Sequence, residues 1–367
     1  MSRASRPPVG ARLVDLAVDR GLLPDPVLRA VIRRLLRRRS AELRAGGVEE
    51  RSERRRELVA ALETSPIALS TTEANEQHYE VPTELFELML GPRLKYSSAY
   101  WPEGVDDLAA AEEAMLALTC RRAGITDGQD VLDLGCGWGS LSLYIAEHHP
   151  TCRVVAVSNS QTQRTHIRKA AAERGLDNLE VLTADVNDLG VRVHAEQVYE
   201  AAFDRVVSVE MFEHVRNHGR LTARIATWLR PGGRLFVHVF AHHAEPYPFE
   251  TGSSADWMAR HFFTDGLMPS HDLLPRVVQG LDPVDQWAMS GKHYARTLRS
   301  WLQRLDADAV RARQLLADTY GRAHAAAWLR RWRVFTIACE ELFAFDDGDE
   351  WHVSHHLFSR PDLPPGP

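Results

Sequence analysis

The chain has 367 residues, 44% of them hydrophobic, and a formal net charge of -6. A chain of this length can bury the core of one α/β catalytic domain with additions at both ends, and its modest negative charge excludes the global basic field that general binding of nucleic acid requires. No apolar run approaches the roughly 20 residues that span a bilayer, and no signal-peptide core follows the N-terminus, so we predict a cytoplasmic protein with no nucleic-acid partner.

An arginine-rich stretch from Val27 to Arg56 is the first feature along the chain. Helical spacing places Val31, Leu35 and Leu36 on one side of it. The opposite side carries Arg33, Arg34, Arg37, Arg38 and Arg39. The pattern predicts an amphipathic basic helix within an N-terminal extension, residues 1–70. It favours packing of this helix against the main domain, and weak contact with an anionic membrane surface is the alternative.

The next predicted region, residues 71–125, is helical. After the polar linker Ser70–Asn75, Pro82 fits the first turn of a helix. A small, aromatic stretch, Lys95–Trp101, precedes a second predicted helix at 108–123. We expect this region to lie between the N-terminal extension and the first strand of the main domain.

Strands and helices alternate from Asp130 onwards. Apolar strands are predicted at 131–134, 154–157, 179–183, 203–209 and 235–240, with helices between the first four. This alternation is typical of a doubly wound α/β fold, with a parallel sheet, helices on both faces and a ligand site at the carboxyl ends of the strands. Residues 126–245 form this predicted core. The remaining residues, 246–367, are rich in aromatic side chains at helical spacing. They are predicted to form a substrate cap over the ligand edge, with C-terminal helices and strands.

A glycine-rich turn follows the first strand in the sequence Asp133-Leu134-Gly135-Cys136-Gly137-Trp138-Gly139. Without Cβ atoms, glycines let a ligand lie against backbone N–H groups at the start of the following helix. The acid before the first glycine and the single-residue spacings resemble the first motif of class I methyltransferases more than the longer GxGxxG motif of dinucleotide enzymes. We therefore predict that Asp133, Gly135 and Gly137 bind S-adenosylmethionine, and a purely structural tight turn is the alternative.

Two further strand ends bear on the cofactor. The second strand ends at Ser158 and Asn159, where dinucleotide enzymes place an acid for the ribose hydroxyls, and this departure argues against a nicotinamide cofactor. The third strand is followed by Asp185, whose carboxylate could accept a hydrogen bond from an adenine amino group. A helix N-cap is the alternative role for Asp185.

Two carboxylates and an imidazole follow the fourth strand, beside the expected methyl donor: Glu210, Glu213 and His214. Glu210 and His214 are four residues apart and would share one face of a helical turn. Such a cluster suits an amine acceptor, because an ammonium group with a pKa of about 10 must lose a proton before its nitrogen can attack. A surface helix start with acids near its dipole is the alternative.

Histidines recur along the chain, but no HExxH or equivalent spacing occurs, and the four cysteines form no CxxC pair. We therefore predict no metal site and no disulfide framework. Aromatic side chains could instead surround a sulfonium and a cationic amine by cation–π contact, although each taken singly is more often part of a core. The candidates are Tyr79, Tyr96, Tyr100, Trp101, Trp257, Phe262, Phe263 and Trp332.

The chain from Asn75 to Ser359 resembles the family that links cyclopropane-fatty-acyl-phospholipid synthases with plant coclaurine-type N-methyltransferases. The resemblance rests on Asn75–Pro82, Leu94–Trp101, Asp133–Gly139, Met211–His214, Phe263–Leu274, Gly291–Trp301 and Phe343–Phe358. It implies a class I methyltransferase fold in which residues 71–125 cover the cofactor. It also implies cofactor contacts from Tyr96, Ser97, Gly135, Gly137, Ser158, Asn159, Gln163, Asp185, Val186 and Val209.

Two positions separate the branches of this family. Cyclopropane synthases carry a cysteine where this chain has Ser98 and a small residue where it has Glu210, and they hold bicarbonate as the base. The remaining bicarbonate ligands are matched by Glu213, His238 and Tyr294. Glu210 with His214 looks like the coclaurine-type branch, so we predict methylation of the nitrogen of a small, cyclic or aromatic-bearing amine, with cyclopropanation of unsaturated acyl chains as the alternative. The predicted substrate contacts are Tyr79, His238, Tyr294 and Trp332.

Overall fold

A seven-stranded mixed sheet runs through the centre of the fold. The computed structural model describes residues 9–68, 81–188, 200–249, 257–262 and 266–362. The strands of the sheet are β1 (Asp130–Leu134), β2 (Arg153–Ser158), β3 (Leu179–Thr183), β4 (Phe203–Val209), β5 (Leu229–His242), β8 (Asp282–Met289) and β9 (Trp351–Ser359). Their order across the sheet is β3-β2-β1-β4-β5-β9-β8, and a separate two-stranded ribbon pairs β6 (Tyr247–Pro248) with β7 (Leu267–Met268).

Helices precede, cover and follow this sheet. In chain order they are α1 (Val9–Arg20), α2 (Asp25–Arg44), α3 (Val48–Thr64), α4 (Thr83–Met89), α5 (Leu108–Ala123), α6 (Ser140–His148), α7 (Gln161–Glu173), α8 (His218–Trp228), α9 (Trp257–His261), α10 (Leu273–Val277), α11 (Gly291–Ala307), α12 (Ala309–Tyr320) and α13 (Ala325–Ala344). Within the described ranges, none of them combines the length and the apolar character that crossing a bilayer demands.

The predicted doubly wound α/β fold is confirmed by the pairing of the first five strands. β1 lies between β2 and β4 and is parallel to both, while β2 pairs in parallel with β3 and β4 with β5. The chain therefore winds outward from β1 to β3 and returns to β4 on the other side of β1. At such a reversal the carboxyl ends of the strands leave a crevice where doubly wound sheets bind ligands. The glycine-rich turn follows β1 and Glu210 follows β4, so both lie at this crevice.

β8 and β9 are not among the five strands that the sequence predicts. β9 runs antiparallel to β5 and β8 and lies between them. It carries His352, His355 and His356, which are all buried. These polar side chains and the continuous burial hide the two-residue alternation by which a strand is recognised. β9 thus brings three imidazoles into the core beside β5. The helix predicted between β3 and β4 falls largely on 189–199, outside the described residues.

The predicted basic helix between Val27 and Arg56 is two helices, α2 and α3. Gly46 and Gly47 interrupt it, and Gly46 adopts a left-handed conformation with φ +85°. The prediction that the apolar side of this helix packs against the main domain is also wrong in part, because Val31 and Leu35 are each 43% exposed. Side chains on another face of α2 make its contacts with the rest of the fold.

Arginine–glutamate pairs join α2 to α13. Arg29 donates to Glu340 at 2.7 Å and to Glu341 at 2.6 Å, and Arg33 donates to Glu341 at 2.5 Å. Both carboxylates are nearly buried, with exposed side-chain fractions of 2% and 5%. Since a nearly buried carboxylate is costly unless it is hydrogen-bonded or paired, these contacts help to orient α2 against α13. The N-terminal extension therefore packs against the last long helix of the chain.

A large aromatic cluster fills the space between the sheet edge and the C-terminal helices. α11 packs against α13, and α4 and α12 close the same cluster. Its members include Phe86, Trp301, Trp332, Phe335 and Phe343. Full burial of a large apolar side chain contributes roughly 1.5–3 kcal/mol. The C-terminal helices are therefore fixed beside the carboxyl ends of the strands, where they form one wall of the crevice.

Candidate active site

The glycine-rich turn leaves its backbone open to a ligand at one position, just after the end of β1. Gly135 and Gly139 adopt positive φ angles, and a Cβ atom on either would lie 2.6 Å from a side chain, that of Met211 or Ile167. Gly137 also has a positive φ, +53°, but a Cβ atom there would meet nothing within 4 Å. The outer glycines thus allow close packing, and Gly137 leaves room for a ligand.

Asp133 fixes the turn to the helix that follows it. Its Oδ2 atom accepts a hydrogen bond from the Ser142 hydroxyl in α6 at 2.5 Å. Burial raises the pKa of Asp133 to about 6, and the Ser142 donors oppose that rise. The carboxylate therefore holds the start of α6 against β1 and also lines the adjoining cavity.

A cavity of about 240 Å³ opens beside the turn. A single water needs roughly 10–15 Å³ measured in the same way, so this cavity accommodates an organic ligand. Seven of the predicted cofactor contacts line it, namely Tyr96, Ser97, Asp133, Gly135, Gly137, Gln163 and Val209. Its walls therefore come from the 94–98 segment, the glycine turn, α7 and the end of β4.

Four predicted cofactor contacts are not part of the cavity lining: Ser158, Asn159, Asp185 and Val186. Ser158 affects the cavity lining indirectly, because its hydroxyl orients the Gln163 side chain by donating to Gln163 Oε1 at 2.6 Å. Asp185 accepts a hydrogen bond from the backbone N–H of Asn187 at 2.8 Å, which forms a local turn at the end of β3. The structure therefore brings the turn and Gln163 together, and it leaves Asp185, the predicted adenine contact, at the end of β3 outside the cavity lining.

Unsatisfied polar atoms test whether S-adenosylmethionine fits this cavity. Ser140 Oγ and Gln163 Nε2 are buried, line the cavity and have no hydrogen-bond partner among the described residues. Such groups are costly in a folded protein unless a ligand or water satisfies them. Because Ser158 occupies Gln163 Oε1, the amide of Gln163 presents its N–H₂ group. Together with the open backbone at Gly137, these atoms suit a ligand with hydroxyl, amino and carboxylate groups.

Glu210 adopts a strained backbone conformation directly after β4. Its φ of +48° lies in the left-handed region, which costs a residue with a Cβ atom roughly 1–2 kcal/mol. The carboxylate accepts three hydrogen bonds. Oε1 accepts from the Ser98 N–H at 2.9 Å and from His238 Nε2 at 3.2 Å, and Oε2 accepts from the Tyr294 hydroxyl at 2.6 Å. The strain and the donors together fix the carboxylate at the cavity wall.

The charge of Glu210 is balanced by a buried lysine, Lys95, that the sequence patterns do not assign to the site. Burial raises the pKa of Glu210, and the Lys95 ammonium group opposes that rise, as do Tyr294 and Ser98. Lys95 is only 3% exposed and donates to Ser97 Oγ at 2.5 Å and to the Ser98 carbonyl at 2.8 Å. Burial lowers the pKa of Lys95 to about 8. Sequence offers no signal that separates this buried lysine from an exposed one.

The predicted catalytic cluster divides into two parts. His214, in the 3₁₀ turn Phe212–His214, lines the cavity, and burial lowers its pKa to about 4. Its imidazole is therefore neutral near pH 7 and able to accept a proton or a hydrogen bond. Glu213 is outside the cavity lining, and its Oε1 accepts from the Phe240 N–H at 2.9 Å. Burial and the charge of Glu210 raise the pKa of Glu213 well above its ordinary value, which favours its protonated form.

The predicted substrate contacts do not all line the cavity. Tyr294 lines the cavity. His238 is fully buried behind Glu210, and Trp332 is buried edge-on against Phe86 and Phe262, so neither is part of the cavity lining. Tyr79 lies outside the described residues. Trp332 is wrong as a lining residue because its indole fills the core between α4 and α13.

The aromatic wall is built instead from residues of distant segments. Phe240 and Tyr247 come from the end of β5 and from β6, and Trp301 and Phe343 come from α11 and α13. Tyr294 stacks on Phe343 with ring centroids 4.3 Å apart. Faces of such rings attract cations, most strongly in a desolvated site. The cavity lining therefore combines a carboxylate and an imidazole with aromatic rings that can stabilise positive charge.

A group of side chains outside the cavity, His242, His243 and Glu350, has the spacing of metal ligands. His242 Nδ1 accepts hydrogen bonds from two backbone N–H groups, of Ala244 at 3.1 Å and Glu245 at 2.8 Å. Its Nε2 therefore carries the hydrogen and donates to Glu350 Oε1 at 3.1 Å. A protonated nitrogen offers no lone pair to a metal, so these bonds argue against a metal site.

Comparison with known proteins places the chain. A family model described as mycolic acid cyclopropane synthetase matches residues 68–353. The chain belongs to this family. Its curated relatives include (S)-coclaurine N-methyltransferase of Thalictrum flavum subsp. glaucum, which is 35% identical over 359 residues, 96% of this chain and 97% of the relative. They also include the cyclopropane-fatty-acyl-phospholipid synthase of Escherichia coli strain K12, 32% identical over 293 residues, 78% of this chain and 67% of the relative.

Solved structures agree with this placement. A crystal structure of coclaurine N-methyltransferase bound to N-methylheliamine and SAH has a TM-score of 0.88 and 34% identity, covering 95% of this chain and 98% of that one. The cyclopropane synthase MmaA2 from Mycobacterium tuberculosis has the same fold at 22% identity, with a TM-score of 0.66 and coverage of 80% of this chain and 100% of that one. The family resemblance seen in the sequence is confirmed. This member of the family is an S-adenosylmethionine-dependent methyltransferase.

Proposed function

We propose that this chain methylates the nitrogen of a small, cyclic or aromatic-bearing amine. The observation that carries the proposal is the shared cavity, whose lining includes the Glu210 carboxylate, the neutral His214 imidazole, several aromatic rings and the glycine turn. An amine that enters as an ammonium ion gains a counter-charge from Glu210 and cation–π contacts from rings such as Tyr294 and Phe343. The relatives named for N-methylation of amines support the same class of acceptor.

The residues that would hold S-adenosylmethionine are those of the turn and its surroundings. Asp133, Gly137, Ser140 and Gln163 present polar atoms or open backbone to the cavity. The chemistry that the cofactor supplies when bound is an electrophilic methyl group on a sulfonium sulfur. The contribution of the protein is to fix the acceptor nitrogen in line with that methyl group and to exclude water.

Proton transfer from the amine is assigned to Glu210. Of the two groups at the cavity, Glu210 has the raised pKa and is the stronger base, whereas His214, with a pKa of about 4, stays neutral. The ammonium proton passes to the carboxylate of Glu210, which leaves a nitrogen lone pair. His214 accepts a hydrogen bond from an N–H group of the acceptor and orients it.

The donor set around Glu210 argues against cyclopropanation of lipids. The resemblance assigns His238 and Tyr294 to a bicarbonate ion in cyclopropane synthases. In this chain both donate to the Glu210 carboxylate, together with the N–H of Ser98. A side-chain carboxylate therefore satisfies the donors that a bicarbonate ion would need, and we expect turnover to be independent of added bicarbonate.

The test is a competition between acceptor classes. Purified protein with S-adenosylmethionine is incubated with a panel of cyclic secondary amines and, separately, with vesicles of unsaturated phospholipid, and mass spectrometry identifies the molecule that gains about 14 mass units. We expect the gain on amines and none on lipid, without dependence on bicarbonate. Modification of lipid alone would reject the proposal.

Two variants test the assigned groups. The double variant Glu210→Gln, His214→Ala should lower kcat by roughly 10²–10⁴-fold, the usual contribution of acid–base catalysis, while affinity for SAH changes little. The control combines Glu173→Gln and His324→Ala, which make the same chemical changes at exposed positions on α7 and before α13. Turnover equal to that of the control would remove Glu210 and His214 from the mechanism.

A further inference from the structure

A chain of hydrogen bonds runs from the surface of α5 to the Glu210 carboxylate. Arg122 Nη1 lies 2.7 Å from His355 Nδ1, His355 Nε2 lies 3.0 Å from His238 Nδ1, and His238 Nε2 lies 3.2 Å from Glu210 Oε1. We call these four residues the Arg122–Glu210 chain. The other three are distant in sequence from Glu210. The antiparallel pairing of β5 with β9 places His238 opposite His355, and Arg122 reaches them from α5, which packs on β5.

The direction of every bond in this chain follows from Arg122. A guanidinium group has donors and no acceptor, so His355 Nδ1 must accept from it. A neutral imidazole with an accepting Nδ1 carries its hydrogen on Nε2, and His355 therefore donates to His238 Nδ1. By the same step, His238 carries its hydrogen on Nε2 and donates to Glu210 Oε1. The chain has one direction, from Arg122 towards the carboxylate.

Both imidazoles are held neutral as this arrangement requires. His238 and His355 are fully buried. Burial lowers the pKa of each well below its ordinary value, and the nearby cations Lys95 and Arg122 lower both further. Arg122 is itself fixed in place, since its guanidinium lies over the Trp287 ring at 4.6 Å from the centroid. The donor at the head of the chain is thus held against a ring of β8.

We propose that Arg122 is a positioning residue for methyl transfer, which acts through His355 and His238 to keep Glu210 Oε1 a hydrogen-bond acceptor. A proton taken up by Glu210 has no exit along this chain, because its passage would reverse both imidazoles and set an N–H of His355 against the guanidinium. The proton must return by way of the cavity. The kinetic part of this inference rests on the proposed function, and its structural part does not.

Loss of the Arg122–Glu210 chain should shift the acid limb of the pH–rate profile. A donor aimed at the carboxylate favours the ionised form of Glu210, so its loss should raise the pKa at which activity disappears on acidification. Other groups act on Glu210 or on the two imidazoles and are common to all the variants compared. They are Lys95, Glu213, His214, Tyr294, Cys339 and His356.

Two substitutions differ in whether the head of the chain can accept a hydrogen bond. They also differ in charge, so the tautomers measured below assign the effect to the direction of the bonds. In Arg122→Gln the side-chain amide can accept a hydrogen bond as well as donate one, so the chain can reverse. In Arg122→Lys the head of the chain remains a cation without an acceptor. We expect the acid limb of kcat/KM to move to a pH about one unit higher in R122Q and to stay at the wild-type pH in R122K. Melting temperatures of both variants establish that each is folded.

The tautomers are measured without any turnover. Nitrogen-15 spectra of histidine-labelled full-length protein, without cofactor or amine, distinguish Nδ1–H from Nε2–H imidazoles, and His238→Gln and His355→Gln identify the two sets of signals. We expect both residues as neutral Nε2–H tautomers in the wild type and in R122K, and a population of Nδ1–H in R122Q. A charged or Nδ1–H imidazole in the wild type overturns the proposal, as does an acid limb in R122Q that coincides with that of the wild type. If no amine is methylated, the proposed function fails while the spectra still decide the direction of the chain.

Discussion

The hydroxyl of Tyr294 lies 2.6 Å from Oε2 of Glu210 and donates a hydrogen bond to it. The two residues come from the first turn of α11 and from the loop after β4, so the bond joins the C-terminal helices to the sheet. Burial raises the pKa of the Tyr294 hydroxyl well above its ordinary value, which keeps it a donor across the whole accessible pH range. The bond therefore ties the geometry of the aromatic wall to the protonation of the carboxylate.

Removal of this donor should shift the pH dependence of the enzyme. Burial raises the pKa of Glu210, and the hydrogen bond from Tyr294 lowers it, so Tyr294→Phe raises it further. A base must be ionised to act, and activity is lost as the pH falls through its pKa. Since a hydrogen bond to a charged group contributes roughly 1.5–3 kcal/mol, the acid limb of kcat/KM should move upward by about one to two pH units. Tyr320→Phe, at the end of α12, is the matched control, and an unmoved acid limb in Y294F would show that Glu210 is not the titrating group.

Substitution at Gly137 should weaken cofactor binding without unfolding the protein. Gly137→Val forces a branched side chain into a left-handed backbone, at about 1–2 kcal/mol, and places it in the cavity. Gly128→Val supplies the control, because Gly128 has φ +82°, its Cβ would likewise meet nothing within 4 Å, and it is exposed. Calorimetry with SAH should show an affinity at least about tenfold lower for G137V and unchanged for G128V. Equal affinities would mean that the turn does not bind the cofactor.

Much of the fold follows from short-range patterns in the sequence. β1 and β4 are apolar runs bounded by turn residues, and the glycine-rich turn has a recognisable spacing, so their relative order in a parallel sheet is predictable. β9 is different, because its histidines and serines are buried only through pairing with β5 and β8. Neither periodicity nor local propensity encodes that pairing.

The candidate site shows the same division. Glu210 and His214 are predictable because they follow a predicted strand in the position where ligands bind. Lys95 and Trp301 are not, since each reaches the cavity only when α11 and the 94–98 segment pack against the sheet. The sequence predicts Trp332 at the cavity, but the structure places it in the core, because spacing along a helix identifies a buried face without identifying the neighbour that it contacts.

The attachment of the N-terminal extension should depend on Arg29. This guanidinium donates to both Glu340 and Glu341, and its removal leaves two nearly buried carboxylates with fewer donors. Arg299 and Arg33 still reach them, so Arg29→Ala should lower the free energy of unfolding by about 2 kcal/mol, less than the 3–5 kcal/mol for a fully broken buried pair. Arg37→Ala, at an exposed position of the same helix, should change it by at most about 0.5 kcal/mol in chemical denaturation. A loss in R29A no larger than that of R37A would mean that these ion pairs do not fix the extension.

Glu213 should make the protein less stable as the pH rises. Burial, and then the charge of Glu210, raise its pKa well above the ordinary value, so the folded protein retains a proton that the unfolded chain releases near pH 4.5. Where the folded state binds more protons than the unfolded state, stability falls with increasing pH. Glu213→Gln keeps the acceptor for the Phe240 N–H and removes the titration, so its stability relative to the wild type should be greater at pH 8 than at pH 5. Thermal melts at both values measure this difference, with the exposed Glu173→Gln as a control that shows none. A stability difference between E213Q and the wild type that is the same at pH 5 and pH 8 would mean that Glu213 is already ionised in the folded protein at pH 5, although its Oε2 has no hydrogen-bond partner among the described residues.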